Sequence, residues 1–380
     1  MDKIKVVFIH DELVCGGAEQ ALFDLVQLMD KEKFEVTVLV QKPGGPWDGK
    51  FLDAGIRVIY DYSCRKSTWN PVTKLGNISK KLRTDKAYRH HGEGLLDVVY
   101  PEGADIIVSY SMWDHIQAGF GKNAKSVKYL HGNMASNAAF RELILRDMEL
   151  LPRYDRIVCV SQAAKEAFVS ITGISHGVEA HFNPMNSEHV RRLAEAPVDL
   201  PTDLPIVCAV GRLAAEKGFE RLIVIHKKLY DQGLRHRLVI VGDGVDRDYI
   251  RRTVNAVDAQ DSVILVGYQA NPYPYMKRSR FVVCSSFTEG LPVIAMEALC
   301  LGIPLVAAVP SVGEIFGGED CGLITENDNQ SLLEGIQKML ADDAFYQQKK
   351  SGAQRRSLFF DGKRMVSEVE DMFLRMMEET

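Results

Sequence analysis

The chain has 380 residues, of which 46% are hydrophobic and 26% are charged, so it is long enough to bury the cores of two domains of ordinary size. Its formal net charge of -5 argues against a nucleic-acid-binding protein, which requires a strongly basic domain or stripe. Seven cysteines are scattered without a C-x-x-C pair, which argues against a disulfide framework and a zinc site and favours a reducing cytoplasm.

Apolar runs are all short. None approaches the ~18 residues needed to span a bilayer, and the apolar segment before Asp11 is too short for the core of a signal peptide. We therefore expect a cytoplasmic protein, with any membrane contact peripheral and at the inner face of the membrane.

Short β-branched apolar runs alternate with amphipathic stretches, a pattern that predicts buried parallel strands covered by helices on both faces. The predicted strands are Lys5–Ile9, Glu35–Val40, Arg57–Tyr60, Asp105–Ser109, Val127–Leu130, Arg156–Val160, Ile206–Val210, Arg237–Val241, Val263–Val266, Phe281–Cys284 and Pro304–Ala307. The sequence thus predicts an α/β protein with two Rossmann-like domains.

A proline-punctuated segment at residues 181–205 is predicted to link the two domains. We place the first domain at residues 1–185 and the second at residues 186–361. Residues 362–380 are predicted to form a helix that buries one stripe. The stripe consists of Met365, Val369, Met372, Phe373, Met376 and Met377. Such a stripe is typical of a core, the alternative being a groove for a partner or cofactor.

Gly16-Gly17-Ala18-Glu19 follows the first strand and opens a helix with Ala18, Leu22, Leu25 and Met29 on its predicted buried face. Glycine at this point lets a phosphate or a sugar approach the backbone closely. Ordinary turn chemistry explains the pair equally well.

Residues from Arg65 to Arg89 include eight Lys or Arg against the single acid Asp85. A solvated loop is one interpretation. The other is a platform for anionic lipid head groups or for a lipid-linked pyrophosphate, since each basic residue adds about 1 kcal/mol near an anionic surface.

His131-Gly132 follows the strand that ends at Leu130, at the edge of the sheet where ligands collect in open α/β folds. The histidine is either a hydrogen-bonded structural residue or a catalyst.

Gly211-Arg212-Leu213 and Glu216-Lys217-Gly218 follow the first strand of the second domain. Arg212 and Lys217 are suited to hold a departing pyrophosphate where no metal neutralises it. The alternative is a solvated loop. Asp246-Arg247-Asp248 is a D-x-D motif, which we interpret as the start of a helix rather than as a metal site.

Glu289-Gly290-Leu291-Pro292 follows the strand that ends at Cys284, and Pro292 suits the first turn of a helix that carries Glu297 two turns along. This pattern places one carboxylate and several free amides near a reacting group, and a second carboxylate suited to a ribose diol. Because Glu297 stands in a very apolar helix, it requires a partner.

Taken together, G-G-A-E near the start, H-G, G-R-L-x-x-E-K-G and E-G-L-P-x-x-x-x-E closely resemble the retaining glycosyltransferases of family 4. The resemblance is weakest over residues 62–104. It implies the GT-B fold, in which two Rossmann-like domains face each other across a cleft and the last helix returns to the first domain. Within the family, residues 271–276 and Glu289-Gly290-Leu291-Pro292 look like those of bacterial transferases that build lipopolysaccharide, capsule or exopolysaccharide, many of which use UDP-sugars.

The resemblance also implies roles for single residues. Arg212 and Lys217 would bind the donor diphosphate, Glu297 the ribose, and Glu289, with the amides of Gly290 and Leu291, the transferred sugar. His131 would contact the donor sugar, Gly16 and Gly17 would lie near the diphosphate and the acceptor, and Gly267 and Tyr268 would hold the base.

We therefore expect a retaining hexosyltransferase that moves a hexose or N-acetylhexosamine from a nucleotide-sugar, with UDP favoured. The acceptor would be a glycan or a lipid-linked acceptor, and no metal or other cofactor would take part. Two alternatives stay open: a nucleotide-sugar 2-epimerase, and a catalytically silent scaffold protein.

Overall fold

The computed structural model describes residues 2–14, 16–60, 99–111, 123–201 and 203–379, together with the single positions 82, 83, 86 and 96. The chain divides into two compact units. Unit 1 comprises Met1–Met185 with Gly362–Thr380, and unit 2 comprises Asn186–Asp361.

The described part of unit 1 contains a seven-stranded sheet whose neighbouring strands all run parallel. Its strands are β1 (Ile4–His10), β2 (Phe34–Val40), β3 (Arg57–Tyr60), β4 (Ile106–Ser109), β5 (Lys125–Leu130), β6 (Arg156–Cys159) and β7 (Val178–Ala180). The helices of the first 185 residues that the structure describes are α1 (Gly17–Leu28), α2 (Asp48–Asp53), α3 (Ala138–Arg146) and α4 (Gln162–Thr172).

Unit 2 contains a six-stranded sheet, also parallel throughout. Its strands are β8 (Ile206–Val210), β9 (Arg237–Val241), β10 (Val263–Gly267), β11 (Phe281–Cys284), β12 (Leu305–Ala307) and β13 (Gly322–Ile324). Its helices are α5 (Ser187–Leu193), α6 (Phe219–Asp231), α7 (Arg247–Ala256), α8 (Tyr273–Lys277), α9 (Val293–Cys300), α10 (Val312–Phe316), α11 (Asn329–Ala341) and α12 (Asp343–Ser357).

Both sheets are doubly wound. The strand order is β3-β2-β1-β4-β5-β6-β7 in unit 1 and β10-β9-β8-β11-β12-β13 in unit 2. The chain therefore reverses direction across the sheet between β1 and β4, and again between β8 and β11. Ligands of open α/β sheets bind outside the carboxyl ends of the strands at such a switch point.

The predicted strands are confirmed, each to within a few residues of its predicted ends. Two edge strands were not predicted. β7 and β13 have three residues each, which is too short for a recognisable apolar run. The segment at residues 181–205, predicted to be a linker, contains the helix α5, so this prediction was wrong for Ser187–Leu193.

The last helix, α13 (Gly362–Glu378), packs on α1, as the resemblance implied, and contributes Val366, Val369 and Met372 to the core of unit 1. The backbone N–H of Asp30 also donates to the carboxylate of Glu370 on this helix at 2.6 Å. The predicted stripe is buried except for Met377, which is 41% exposed. The prediction was wrong for Met377 because the buried stripe ends at the preceding residue, Met376.

Within the described residues, none of the helices combines the length and the apolarity that crossing a bilayer demands. Most of the basic segment from Arg65 to Arg89 lies outside the described residues; Arg83 and Lys86 are described, and both are exposed. The described cysteines, Cys159, Cys208, Cys284, Cys300 and Cys321, are free and buried.

Candidate functional site

At the switch point of unit 2, the loop after β8 meets the loop after β11. The first loop ends in a 3-10 turn, Ala215–Lys217, followed by Gly218 with a positive φ of 64°. A Cβ atom on Gly218 would lie 2.3 Å from the carbonyl oxygen of Ser285. Glycine is therefore required at this position both for its backbone conformation and for the close approach of the two loops.

Lys217 and Glu289 form an ion pair between these loops. The Lys217 Nζ atom lies 2.6 Å from Glu289 Oε1, and the Ser286 hydroxyl donates to the same oxygen at 2.7 Å. The two charged side chains are 25% and 15% exposed, so the pair is shielded from solvent but can still be reached from outside. Such a pair offers a cation and a carboxylate side by side to a ligand that carries both phosphates and hydroxyls.

Arg212 lies in the same loop but turns to a different partner. Its guanidinium donates to Glu216 Oε1 at 2.8 Å, and the side chain is 68% exposed. Glu216 is joined to the second loop through its backbone, since its carbonyl accepts a hydrogen bond from the N–H of Phe287. The loop that carries Arg212 and Lys217 is thus attached to the loop after β11. An exposed charged side chain such as Arg212 can exchange its ion-pair partner at a small cost in free energy.

Glu297 is buried on α9, where Oε1 accepts a hydrogen bond from the Tyr273 hydroxyl at 3.0 Å. Glu297 was predicted to need a partner in this apolar helix, and that partner is Tyr273 of α8. The prediction that Pro292 lies in the first helical turn was wrong: Pro292 is the residue before α9, which begins at Val293. Glu297 is consequently the fifth residue of the helix, little more than one turn from its start.

The other predicted donor residues of unit 2 lie at the carboxyl ends of the strands. Gly290 is partly exposed and Leu291 is buried, both in the turn before α9. Gly267 is the last residue of β10 and Tyr268 follows it, with 52% of its surface exposed. Asp246 immediately precedes α7, which confirms the interpretation of the D-x-D motif as a helix start.

In unit 1, Gly17 is the first residue of α1 and Gly16 immediately precedes the helix. A Cβ atom on Gly16 would lie 2.3 Å from a carboxylate oxygen of Glu19, so the glycine leaves room for that side chain to fold back on the turn. Ala18 was predicted on the buried face but is only half-buried, whereas Glu19 is buried.

His131 follows β5 among buried aromatic rings. Its ring centroid lies 4.6 Å from that of Tyr110, and both ring nitrogens are buried without a hydrogen-bond partner among the described residues. Burial, with a further contribution from nearby His10, lowers the pKa of His131 to about 3. The imidazole is therefore neutral at neutral pH; the backbone of Tyr110 and the side chain of Asn183 lie near enough to raise its pKa slightly, but neither completes a hydrogen bond of good geometry with a ring nitrogen.

Sequence reasoning missed His10, the last residue of β1. It is 2% exposed, and its ring nitrogens lie 3.2 Å from Asp11 Oδ1 and 3.7 Å from Glu19 Oε1. Although burial opposes the charge on Asp11, hydrogen bonds with His10 and Ser111 lower its pKa to about 2. The position of His10 at the carboxyl end of a central strand was the available signal.

The structure thus joins Lys217 directly to Glu289, pairs Arg212 with Glu216, and places Glu297 on the neighbouring helix. His131, Gly16 and Gly17 belong to unit 1. Ser286 and Tyr273, which contact the two predicted glutamates, were not predicted as site residues.

Family models match both parts of the chain. Residues 15–180 match the model described as Glycosyltransferase Family 4, and residues 190–356 match Glycosyl transferases group 1. Among curated relatives, the chain is 26% identical over 369 residues to the N-acetylgalactosamine-N,N'-diacetylbacillosaminyl-diphospho-undecaprenol 4-alpha-N-acetylgalactosaminyltransferase of Campylobacter jejuni, covering 93% of this chain and 95% of the relative. It is 23% identical over 331 residues to the lipopolysaccharide core biosynthesis glycosyltransferase LpsE of Rhizobium meliloti, covering 87% of each.

Solved structures show the same fold at lower identity. HepE from Anabaena, in complex with UDP and glucose, superposes with a TM-score of 0.76 at 18% identity, covering 97% of this chain and 99% of HepE. Sucrose-phosphate synthase from Thermosynechococcus elongatus also gives a TM-score of 0.76, at 19% identity and covering 100% of each chain. These similarities confirm the predicted GT-B class of fold, built from two Rossmann-like units. With both halves matched by glycosyltransferase models, the chain belongs to the family 4 glycosyltransferases.

Proposed function

We propose that this chain transfers a hexose or an N-acetylhexosamine from a nucleotide-sugar to a glycan or a lipid-linked acceptor in cell-surface polysaccharide synthesis, with retention at the anomeric carbon. The observation that carries this proposal is the Lys217–Glu289 pair at the switch point of unit 2, with Arg212 in the same loop as Lys217.

UDP is the favoured nucleotide. HepE was crystallised with UDP, with UDP and glucose, and with UDP-glucose, and Staphylococcus aureus TarM was crystallised with UDP. The name of the Campylobacter jejuni relative describes an acceptor linked to diphospho-undecaprenol. By analogy, we propose a UDP-sugar donor and an acceptor that is polymeric or carried on a lipid diphosphate.

In the proposed reaction, Arg212 and Lys217 stabilise the charge that develops on the departing diphosphate. The buried Glu297 accepts hydrogen bonds from the ribose hydroxyls, while Tyr273 keeps one of its oxygens in place. Glu289 and the amides of Gly290 and Leu291 bind the transferred sugar, and the base lies against Gly267 and Tyr268. Gly16 and Gly17 leave room for the diphosphate or the acceptor.

His131 is proposed to hydrogen-bond the donor sugar as a neutral imidazole, because both its nitrogens are without a described partner and burial holds its pKa low. The acceptor hydroxyl then attacks on the face from which the diphosphate leaves, and a phosphate oxygen takes the hydroxyl proton. The bond from the sugar to the diphosphate breaks as the bond to the acceptor oxygen forms.

We further propose that no metal ion or other cofactor is needed, since the two cations can do the charge neutralisation that a metal would otherwise do. Transfer measured in EDTA should therefore equal transfer measured with Mg²⁺ or Mn²⁺. A rate that falls more than tenfold in EDTA and returns with a metal would contradict this part of the proposal.

The first test is a thermal-shift screen with UDP-, GDP- and ADP-sugars, because a ligand present at about 100 times its Kd stabilises the folded protein by about 2.7 kcal/mol. We expect the largest shift with a UDP-hexose or a UDP-N-acetylhexosamine. Absence of binding to every nucleotide-sugar would contradict the proposal and favour a scaffold protein.

The second test follows the selected donor by NMR. With acceptor we expect a glycoside of unchanged anomeric configuration, and an inverted product would contradict retention. Without acceptor we expect slow hydrolysis at most, whereas conversion to the 2-epimer would identify an epimerase.

A further inference from the structure

Arg221, on the first turn of α6, is buried and lies outside every motif that pointed to the site. Its Nε atom donates to the carbonyl of Ser285 at 2.9 Å, and Nη2 donates to the carbonyl of Ser286 at 3.0 Å. Nη2 also donates to Asn327 Oδ1 at 2.8 Å, and the amide of Asn327 donates to the carbonyl of Phe287. We call Arg221, Asn327 and the three carbonyls that they hold the Arg221 bracket.

The segment held by the bracket is the one that touches the Lys217–Glu289 pair. The Ser286 hydroxyl donates to Glu289, and the Ser285 hydroxyl donates to the carbonyl of Lys217 at 2.9 Å. The backbone of Gly218 lies against the same carbonyl of Ser285 that Arg221 binds. One guanidinium thus fixes the backbone whose side chains contact both members of the pair.

Burying the charged guanidinium in this way costs free energy of desolvation. Its Nη1 atom is buried without a hydrogen-bond partner among the described residues, and the Asp328 carboxylate attracts the charge of Arg221 without forming a hydrogen bond to it. The Phe287 ring covers it, with the guanidinium carbon 4.0 Å from the ring centroid. A buried cation held by carbonyls and an aromatic ring, with some donors unsatisfied, contributes little net stability. The guanidinium does, however, present its N–H donors in a rigid planar fork, and this fork sets the spacing of two consecutive carbonyls.

We infer that Arg221 is a positioning residue for sugar transfer: it holds the backbone of Ser285, Ser286 and Phe287 so that Glu289 and Lys217 stay aligned with the reacting sugar and the diphosphate. This inference rests on the proposed function of Lys217 and Glu289. It assigns Arg221 no contact with substrate.

The test is Arg221→Lys, which keeps the positive charge but loses the fork. Misplacing a catalytic group by about 1 Å can cost about 10²-fold in rate, so we expect kcat to fall roughly tenfold to a hundredfold. The donor KM should change less than threefold, because the proposed contacts of Gly267 and Tyr268 with the base and of Glu297 with the ribose stay in place. Asn327→Ala, at an exposed position, should cause a smaller fall of the same kind and covers the case in which Arg221→Lys does not fold.

Arg280 provides the matched control, because it makes similar contacts at the opposite end of β11. It donates to the carbonyl of Met339 at 3.2 Å, pairs with Asp343, and lies 3.8 Å from the centroid of the Tyr346 ring. Arg280→Lys removes comparable contacts away from the Lys217–Glu289 pair and should leave kcat unchanged, whatever its effect on the melting temperature. An equal fall of kcat in both variants would mean general destabilisation and would overturn the inference.

Hydrogen exchange separates this inference from the proposed function. In Arg221→Lys and in Asn327→Ala, the amides of residues 285–290 should exchange at least tenfold faster, and those of β12 should be unchanged, whatever the reaction is. A wild-type protein without transferase activity would refute the proposed function while this measurement still tests the bracket. Unchanged exchange, or unchanged kcat in an active enzyme, would refute the positioning role of Arg221.

Discussion

Unit 1 and unit 2 each carry predicted site residues at the carboxyl ends of parallel strands, but Lys217 and Glu289 of unit 2 differ from His131 of unit 1 in their hydrogen bonding. In unit 2, Lys217, Glu289 and Ser286 bond to one another. In unit 1, both nitrogens of His131 are buried and without a partner among the described residues.

The difference indicates how ligand binding and the stability of the fold are related at each site. A satisfied network stabilises the fold and binds a ligand only by exchanging partners, whereas a buried imidazole without a partner costs stability until a ligand supplies the missing bond. Substitutions in unit 2 should therefore weaken both the fold and the reaction, and substitution of His131 should weaken the reaction alone.

The largest effect should come from Lys217→Met. Removing the cation takes away charge stabilisation of the departing diphosphate and leaves Glu289 without its ion pair, so kcat/KM should fall roughly 10²- to 10³-fold. Lys227→Met is the control, because Lys227 is as exposed as Lys217 and also forms an ion pair, but with Asp231 on its own helix, which is 57% exposed. Steady-state kinetics with the selected donor measure both. A loss of less than threefold in Lys217→Met would remove Lys217 from the site.

His131→Leu should separate rate from stability. We expect kcat to fall about 10²-fold, because a hydrogen bond to the sugar is lost. The melting temperature should stay the same or rise, because a buried polar group without a partner is removed. His181→Leu, which removes a histidine bonded to Glu179 at 3.0 Å, should lower the melting temperature instead. Equal destabilisation by both variants would contradict the contrast between the units.

Tyr273→Phe should have a smaller and more specific effect. Loss of the hydrogen bond to Glu297 costs about 1 kcal/mol in donor binding, which is about a fivefold increase in donor KM, with kcat little changed. Tyr275→Phe on the same helix is the control. If kcat fell instead and KM stayed constant, Glu297 would act on the transferred sugar rather than on the ribose.

The last effect is on stability alone and concerns a buried histidine pair remote from the site residues in sequence. His226 Nδ1 lies 2.8 Å from His236 Nε2, and burial lowers the pKa of both, to about 3 for His226. The unfolded chain binds more protons than the folded chain below a pH of about 6.5, so stability should fall as the pH drops from there towards about 3.

Between pH 7.5 and 5.5 His226 should account for a loss of about 1 kcal/mol, and His236 should add to the loss in the same direction, measured by urea unfolding. The double variant His226→Gln, His236→Gln should show a flatter dependence on pH, and His176→Gln, at an exposed position, should not. The same slope in the double variant would show that other groups dominate the acid sensitivity.

Much of the fold could be predicted because parallel strands that are buried on both faces leave apolar runs, continuous at Ile206–Val210 and interrupted only by Thr37 in the second half of β2. β7 and β13 lack such runs, and the helix α5 begins among the prolines taken for a linker. Met377 lies at the end of a periodic apolar stripe, where the spacing of the residues no longer indicates which side of the helix is buried.

Of the candidate site, the loops could be placed from the sequence because the topology brings the carboxyl ends of parallel strands to one edge. The partners could not. Tyr273 and Glu297 are separated by 24 residues in sequence, and Arg221 and Ser285 by 64. Only the packing of the helices brings these side chains into contact with their partners. His10 gave no signal beyond its position, because a histidine at a strand end is as often structural.

The return of α13 to unit 1 has a consequence for the order of folding. Phe373 and Met376 complete a hydrophobic core that includes residues of β1, β2 and α1, and the whole of unit 2 is synthesised in between. On the ribosome, unit 2 can close as soon as its own residues emerge, whereas unit 1 must wait with an uncovered apolar surface although its first strand was made long before. We therefore expect the half that is translated first to be the last to become resistant to proteases.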